Sequence, residues 1–165
     1  MSVHAFVSLK QPDLHAISAL ASLKTALGED APKNLFRCRH LLFTAADGST
    51  LSSAFLAPLL AARFDIVNPN KEQLCWDLPP VVTLSDGYSL FWIDVLSRHP
   101  DPATTLRLED RHVEMTARVT WGIVLPTGGA DRASLQSRVF ETFVSGRPGV
   151  SPLLVNPVLE TAQFF

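Results

Sequence analysis

The amino-acid sequence predicts an α+β fold in which one face of an antiparallel β-sheet is covered by helices. The first observation is His112–Leu125, where apolar and polar residues alternate as in a strand with one packed face. The second is an apolar stripe with helical spacing between Asp131 and Gly146. The third is length, because 165 residues suit one hydrophobic core. We therefore expect a single domain over 1–165.

Composition limits the classes of protein to which the chain can belong. Hydrophobic residues make up 47% and charged residues 18% of the chain, so we expect partners to cover part of the surface. The net charge of −2 excludes a strongly basic surface, so contact with nucleic acid needs a local patch. Two cysteines give no disulfide framework, which favours a reducing compartment. No signal peptide is predicted, and the longest apolar stretch, Leu51–Phe64, is too short to cross a membrane.

The first three elements follow from hydrophobic periodicity. Val3–Leu9 alternates apolar and polar residues, which predicts a strand. Pro12–Leu27 is predicted as a helix, because its apolar residues share one face and Gly28 suits its C-terminal end. Leu35–Thr44 is predicted as a second strand.

A second helix is predicted after the Asp47-Gly48 turn. Either Ser49 or Thr50 is expected to cap its N-terminus. The helix runs toward Phe64 and is expected to be short or kinked, because Pro58 lacks the backbone N–H that a helix interior needs.

The second half of the sequence contains several predicted strands, which indicates a sheet. Val81–Leu84 and Tyr88–Leu96 flank the residues Ser85-Asp86-Gly87, which is the turn chemistry of a tight β-hairpin. A short run, Thr105–Glu109, then leads into the long alternating strand His112–Leu125. One face of that strand is expected to pack, and the other to be open to polar partners.

The C-terminal segment is predicted to begin as an amphipathic helix and to end as an apolar tail. Asp131 suits the helix N-terminus and Gly146 its end. The tail, Arg147–Phe165, is too apolar to remain in water, so we expect it to pack or to pair with other copies of the chain.

Three residues are candidates for catalysis or metal binding. Cys38 and His40 project from the same face of one predicted strand, but zinc needs four converging ligands, and His4 reaches them only if the first two strands pair. A packed Cys and a satisfied His are the simpler interpretation. Asp94 interrupts an apolar strand and could act as a general acid, although the simpler interpretation places it near a sheet edge in contact with water. No metal or cofactor is predicted.

A polar surface on the long strand is the more promising candidate. Thr116, Arg118 and Thr120 are spaced two residues apart, so they line one flat face that can meet a nucleic-acid backbone or base edges. Glu114 on the same face opposes this interpretation, and a merely solvated face is its simpler alternative. Three further cations complete the predicted RNA-binding set: Arg107, Arg37 and Arg39.

The order of elements from His112 to Phe165 resembles the C-terminal part of single-stranded RNA bacteriophage (levivirus-type) coat proteins. The matching segments are HVEMTARVTWGIVLP, TGGADRASLQSRVFETFVSG and RPGVSPLLVNPVLETAQFF, which read as a long strand, a turn with a helix, and a Gly/Pro break before an aromatic end. The preceding hairpin would correspond to the family's middle strands, and Ser97–Arg111 to the loop at the capsid symmetry axes. The likeness covers about half of the chain.

The resemblance implies a homodimer in which two sheets join edge to edge and each C-terminal helix and apolar tail is exchanged onto the partner. Such dimers assemble in the host cytoplasm into an icosahedral shell, the virion, and bind genomic single-stranded RNA through the sheet face opposite the helices. The expected dimer-interface residues are Leu135, Val139, Phe143, Leu153, Leu154, Phe164 and Phe165.

Two other functions remain open on the sequence. The chain could be a small cytosolic enzyme or ligand-binding domain that uses Asp94 or the pair Cys38 and His40. It could also be a non-viral homodimeric assembly factor that uses the same apolar tail. The leading expectation is a capsid protein, without enzymatic activity or membrane contact.

Overall fold

Seven antiparallel strands and three α-helices occur in the residues that the structure describes, which confirms the predicted α+β class. The structure is a computed structural model that describes residues 2–108, 111–146, 154–156 and 159–165, with the backbone alone at Leu108. The strands are β1 Val3–Leu9, β2 Asn34–Ala45, β3 Glu72–Trp76, β4 Tyr88–Ser97, β5 Thr104–Leu108, β6 Arg111–Pro126 and β7 Glu160–Phe164. The helices are α1 Leu14–Leu27, α2 Ser53–Ala62 and α3 Arg132–Val139.

The strands form one sheet in the order β3-β1-β2-β6-β4-β7, and β5 pairs with β6 beside this path. The register β1–β2 sets Phe6 opposite His40, and the register β4–β6 sets Asp94 opposite Thr120. Strand β4 therefore lies between β6 and β7, with neighbours on both sides. By contacts the chain divides into two compact units, one of Met1–Pro12, Cys38–Val81 and Asp101–Arg118, the other of Asp13–Arg37, Val82–Pro100 and Val119–Phe165.

The first unit packs α2 on the strands around it. The period of two in β1 turns its odd-numbered residues to one side, where they meet the apolar residues of the helix. Ser52 caps α2, since its hydroxyl accepts the backbone N–H of Phe55 at 3.2 Å. The predicted caps at Ser49 and Thr50 are therefore wrong by a few residues. The core of this unit includes Val3, Ala5, Val7, Leu41, Phe43, Leu56, Leu60, Leu106 and Val113.

The second unit packs α1 and α3 on β4 and the C-terminal half of β6. Asp13 caps α1 by accepting the backbone N–H of His15 at 2.8 Å. Helix α3 continues as a π-helical segment, Phe140–Ser145, and ends at Gly146, whose φ of +78° suits glycine. The core of this unit includes Leu23, Phe91, Ile93, Ile123, Leu125, Leu135, Val139 and Phe143.

One prediction about the sheet is wrong, and one strand of the sheet was not predicted. Residues 81–84 form no strand, so the predicted hairpin with Tyr88–Leu96 does not exist, although Gly87 does lie in a turn with φ of +83°. The reason is that β6 and β7 occupy both sides of β4. Strand β3 was not predicted, because its five residues, EQLCW, show no clear alternation.

Candidate nucleic-acid interface

The hairpin of β5 and β6 carries a polar surface in the first unit. Arg107 lies opposite His112 in the register, so both side chains leave the sheet on the same face, and both residues are exposed. Glu114, Thr116 and Arg118 follow on that face at every second position of β6. We call these five residues the polar face. Arg107, Thr116 and Arg118, predicted from the sequence, are therefore brought together here.

The members of the polar face differ in how far solvent reaches them. Arg107, His112 and Glu114 are exposed, whereas Thr116 and Arg118 are half-buried. The Thr116 Oγ1 atom is buried and has no hydrogen-bond partner among the described residues. At the exposed end the Arg107 guanidinium is the group that can bind a phosphate, and the Glu114 carboxylate on the same face offsets its charge.

Thr120 departs from the prediction. It lies on the predicted side of β6, but its side chain is completely buried, and its hydroxyl donates to the Asp94 carboxyl at 2.9 Å. The prediction that Thr120 is open to an RNA ligand is therefore wrong. Asp94 is also completely buried, on a strand with two neighbours, so the prediction of a solvated carboxyl at a sheet edge is wrong as well.

Arg37 and Arg39 also depart from the predicted RNA-binding set. In β2 they alternate with His40 and point to the side of the sheet that packs against helices. The Arg37 guanidinium lies 3.5 Å from the carboxylate of Asp13 and above the Trp121 ring. Arg39 donates to Glu72 at 2.9 Å and to a backbone carbonyl at 2.7 Å. Both guanidinium groups are thus held by their own unit, and we remove them from the RNA-binding set.

Cys38 and His40 both lie in β2 and are both buried. His40 is completely buried, stacks on Phe6 with ring centroids 4.4 Å apart, and shares a 2.9 Å hydrogen bond with His4. In this hydrogen bond one imidazole nitrogen donates and the other accepts, and the tautomers of the two rings decide which does so. Cys38 is 3% exposed. Within the described ranges, no group of three or more His, Cys, Asp and Glu could hold a metal ion.

The predicted dimer-interface residues fall into two sets. Leu135, Val139 and Phe143 are buried in the core of their own chain, so exchange onto a partner is not needed to cover them. Leu153 lies outside the described residues. Leu154 and Phe164 are half-buried, and Phe165 is 43% exposed. Among the members of the predicted set that the structure describes, only Leu154, Phe164 and Phe165 therefore retain surface that another molecule could contact.

Strand β7 forms one end of the sheet and pairs only with β4 among the described strands. The N–H of Phe165 donates to Trp92 O at 3.2 Å, and the Leu159 carbonyl accepts from the Arg98 N–H at 2.7 Å. Backbone groups alternate along an antiparallel strand, so those of Ala162 and Phe164 point away from β4. No described strand forms hydrogen bonds with these outward-pointing N–H and C=O groups. They can therefore pair with a strand of another molecule.

An aromatic arrangement on β4 was missed by the sequence analysis. The Trp92 ring lies on the backbone of Gly122, where an added Cβ would come within 2.7 Å of the ring. Phe36 lies beside Trp92, with ring centroids 6.4 Å apart. The sequence does contain a signal for this contact. A single glycine within a strongly alternating strand indicates that another group lies close to the backbone at that position.

Comparison with known proteins gives no family for the chain. No protein-family model, curated protein or solved structure matches it. No helix in the described part of the chain has the length and apolar character needed to span a membrane.

Proposed function

We propose that the chain is a structural coat protein whose copies join through their β7 strands, assemble into a closed shell, the virion, and enclose single-stranded RNA. The observation that carries the proposal is the outer side of β7, where the backbone groups of Ala162 and Phe164 meet no other described strand. Two such edges related by a two-fold axis can pair antiparallel and form a continuous sheet across the dimer.

The surroundings of β7 favour association with a second copy. Leu159 is 51%, Phe165 43% and Phe140 42% exposed, and Phe140 contacts Phe164 with ring centroids 6.4 Å apart. A groove of about 410 Å³ runs beside these rings, with Ser137 and Glu141 in its wall. Edge pairing between two copies would cover apolar surface together with the backbone groups, and burial of apolar surface is the main driving force of association.

RNA contact is assigned to the exposed end of the polar face. Arg107 can bind a phosphate through two parallel hydrogen bonds, and the exposed His112 ring lies opposite it in the register, where it can add a further hydrogen bond. The net charge of −2 means that affinity depends on this local patch. Salt should therefore weaken binding to single strands, and each phosphate that the protein neutralises should add about 0.7 to the slope of log K against log salt concentration.

The small-enzyme alternative receives less support from the side chains that would carry it. Asp94 and His40 are completely buried, and Cys38 is nearly so. None of the three lines the groove beside Phe140 and Phe164. A carboxyl that substrate cannot reach has no means to transfer a proton to it.

The test is electron microscopy of the purified protein, with the ratio of absorbance at the nucleic-acid and protein maxima. The proposal predicts closed particles that protect RNA from nuclease. Arg107→Ala should reduce the packaged RNA, and Lys71→Ala, which removes an exposed cation elsewhere, should leave it unchanged. Monomeric protein without particles or nucleic acid would contradict the proposal.

A further inference from the structure

A second groove, remote in sequence from the polar face, lies in the second unit between the end of α1 and the start of β4. Its volume is about 410 Å³, within the range of small-ligand sites, roughly 300–1,000 Å³. Its backbone is shaped by Gly28, whose φ of +58° ends α1. The side chains that define the groove are Lys24, Glu29, Pro32, Lys33, Tyr88 and Pro126.

The charge of the groove wall favours an anionic ligand. Lys24 and Lys33 are exposed, and neither ammonium group has a hydrogen bond or ion pair with a described residue. Glu29 supplies one negative charge against these two positive charges. An anion that meets both lysines would gain a charge-assisted hydrogen bond from each of the two ammonium groups.

The other side chains that line the groove are largely apolar. Tyr88 begins β4 opposite Pro126 in the register, and both residues line the groove. Pro32 adds a second rigid apolar surface. Aromatic side chains provide stacking surfaces for nucleic-acid bases whatever the base, because every base has a π-face. The Glu29 carboxylate is a hydrogen-bond acceptor of the kind that meets ribose hydroxyls.

We propose that this groove binds a nucleoside phosphate, with the phosphate between Lys24 and Lys33, the base against Tyr88 and the ribose toward Glu29. The shared chemistry is that of a free nucleotide and of one nucleotide unit in single-stranded RNA. Two cations alone would suit any phosphate, but the Tyr88 ring and the prolines beside it favour a ligand that carries a ring. The inference does not rest on the coat-protein proposal, since it concerns the isolated chain.

The experiment uses the single tyrosine of the chain as a reporter. Full-length protein containing 3-fluorotyrosine gives a fluorine signal from Tyr88 alone, and equilibrium dialysis gives the affinity. Uridine monophosphate should shift this signal, whereas uridine and inorganic phosphate should bind at least tenfold more weakly. Lys24→Ala and Lys33→Ala should each weaken nucleotide binding by on the order of tenfold. Lys71→Ala is the control and should have no effect.

A short oligouridine distinguishes the two sources of the ligand. Tighter binding of the oligomer than of the mononucleotide, still sensitive to Lys24→Ala, assigns the groove to single-stranded RNA, and equal binding assigns it to free nucleotides. The inference is overturned if Tyr88 shows no shift, if both lysine variants bind as the parent does, or if phosphate alone binds as tightly as the nucleotide. Failure of the coat-protein proposal gives a different result, namely no particles and no packaged RNA.

Discussion

Two threonines on β6 differ in how their hydroxyl groups are hydrogen-bonded, and exchanging each for valine tests the buried part of the sheet. Thr120 donates to the buried Asp94 carboxyl at 2.9 Å, whereas the buried hydroxyl of Thr116 has no partner among the described residues. Valine has nearly the same shape as threonine, so each exchange removes a hydroxyl and little else. The two variants are therefore matched.

The expected effects on the free energy of unfolding have opposite signs. Thr120→Val leaves Asp94 short of one donor inside the sheet, which should lower stability by about 1–3 kcal/mol. Thr116→Val removes a buried polar atom that makes no hydrogen bond with a described residue, which should raise stability by up to about 1 kcal/mol. For a chain of this size, the midpoint temperature shifts by about 2–4 °C per kcal/mol.

The assay is urea unfolding followed by tryptophan fluorescence and circular dichroism, with thermal unfolding as a second measure. Coincident transitions by both probes would validate a two-state treatment. The reasoning is refuted if both variants unfold at the same urea concentration. It is also refuted if Thr116→Val is the more destabilised of the two.

Two further predictions concern the second unit. Gly122→Ala places a Cβ 2.7 Å from the Trp92 ring, against an optimal carbon–carbon separation of about 3.5–4.0 Å, so the protein should lose about 1–3 kcal/mol of stability by urea unfolding. Adding Trp92→Leu to the Gly122→Ala protein should recover part of that loss. If the double variant loses the sum of the two single-variant losses, the proposed close contact is contradicted. Hydrogen bonds from the Ser134 backbone N–H and hydroxyl hold the pKa of Asp131 below its usual value, so the stability that this carboxylate confers is present near neutral pH and disappears as pH falls through the lowered pKa. Asp131→Asn should flatten the acid side of the stability–pH curve, and an unchanged curve would show that the cap contributes nothing.

Hydrophobic periodicity predicted the elements whose packing depends on their own residues. Alternation located β1, β2 and β6, and helical spacing with a following glycine located α1. Periodicity failed for the hairpin at 81–96, because turn chemistry at Gly87 indicates a reversal but does not identify the strand that pairs with β4. Strand β4 pairs with β6 and β7. The second of these comes from residues 160–164, more than sixty positions after β4 in the sequence, and only the complete sheet brings it there.

The candidate site was predicted in part, for a related reason. Alternation along β6 correctly placed Thr116 and Arg118 on the same face of the strand, because successive side chains of a strand point to opposite faces. It could not predict that Thr120 is buried, since burial depends on the neighbouring strand that supplies Asp94. The partners of Arg37 and Arg39, Asp13 and Glu72, are likewise distant in sequence.

The most direct test of the account is the mass of the protein in solution when the outer side of β7 is blocked. Proline at position 162 removes a backbone N–H that points away from β4, so it should prevent edge pairing and leave the β4–β7 hydrogen bonds in place. We predict that Ala162→Pro is a folded monomer by size-exclusion chromatography with light scattering, whereas Ala162→Val, which keeps the N–H, assembles as the parent chain does. An Ala162→Pro protein that still forms dimers or particles would contradict the claim that copies join through β7.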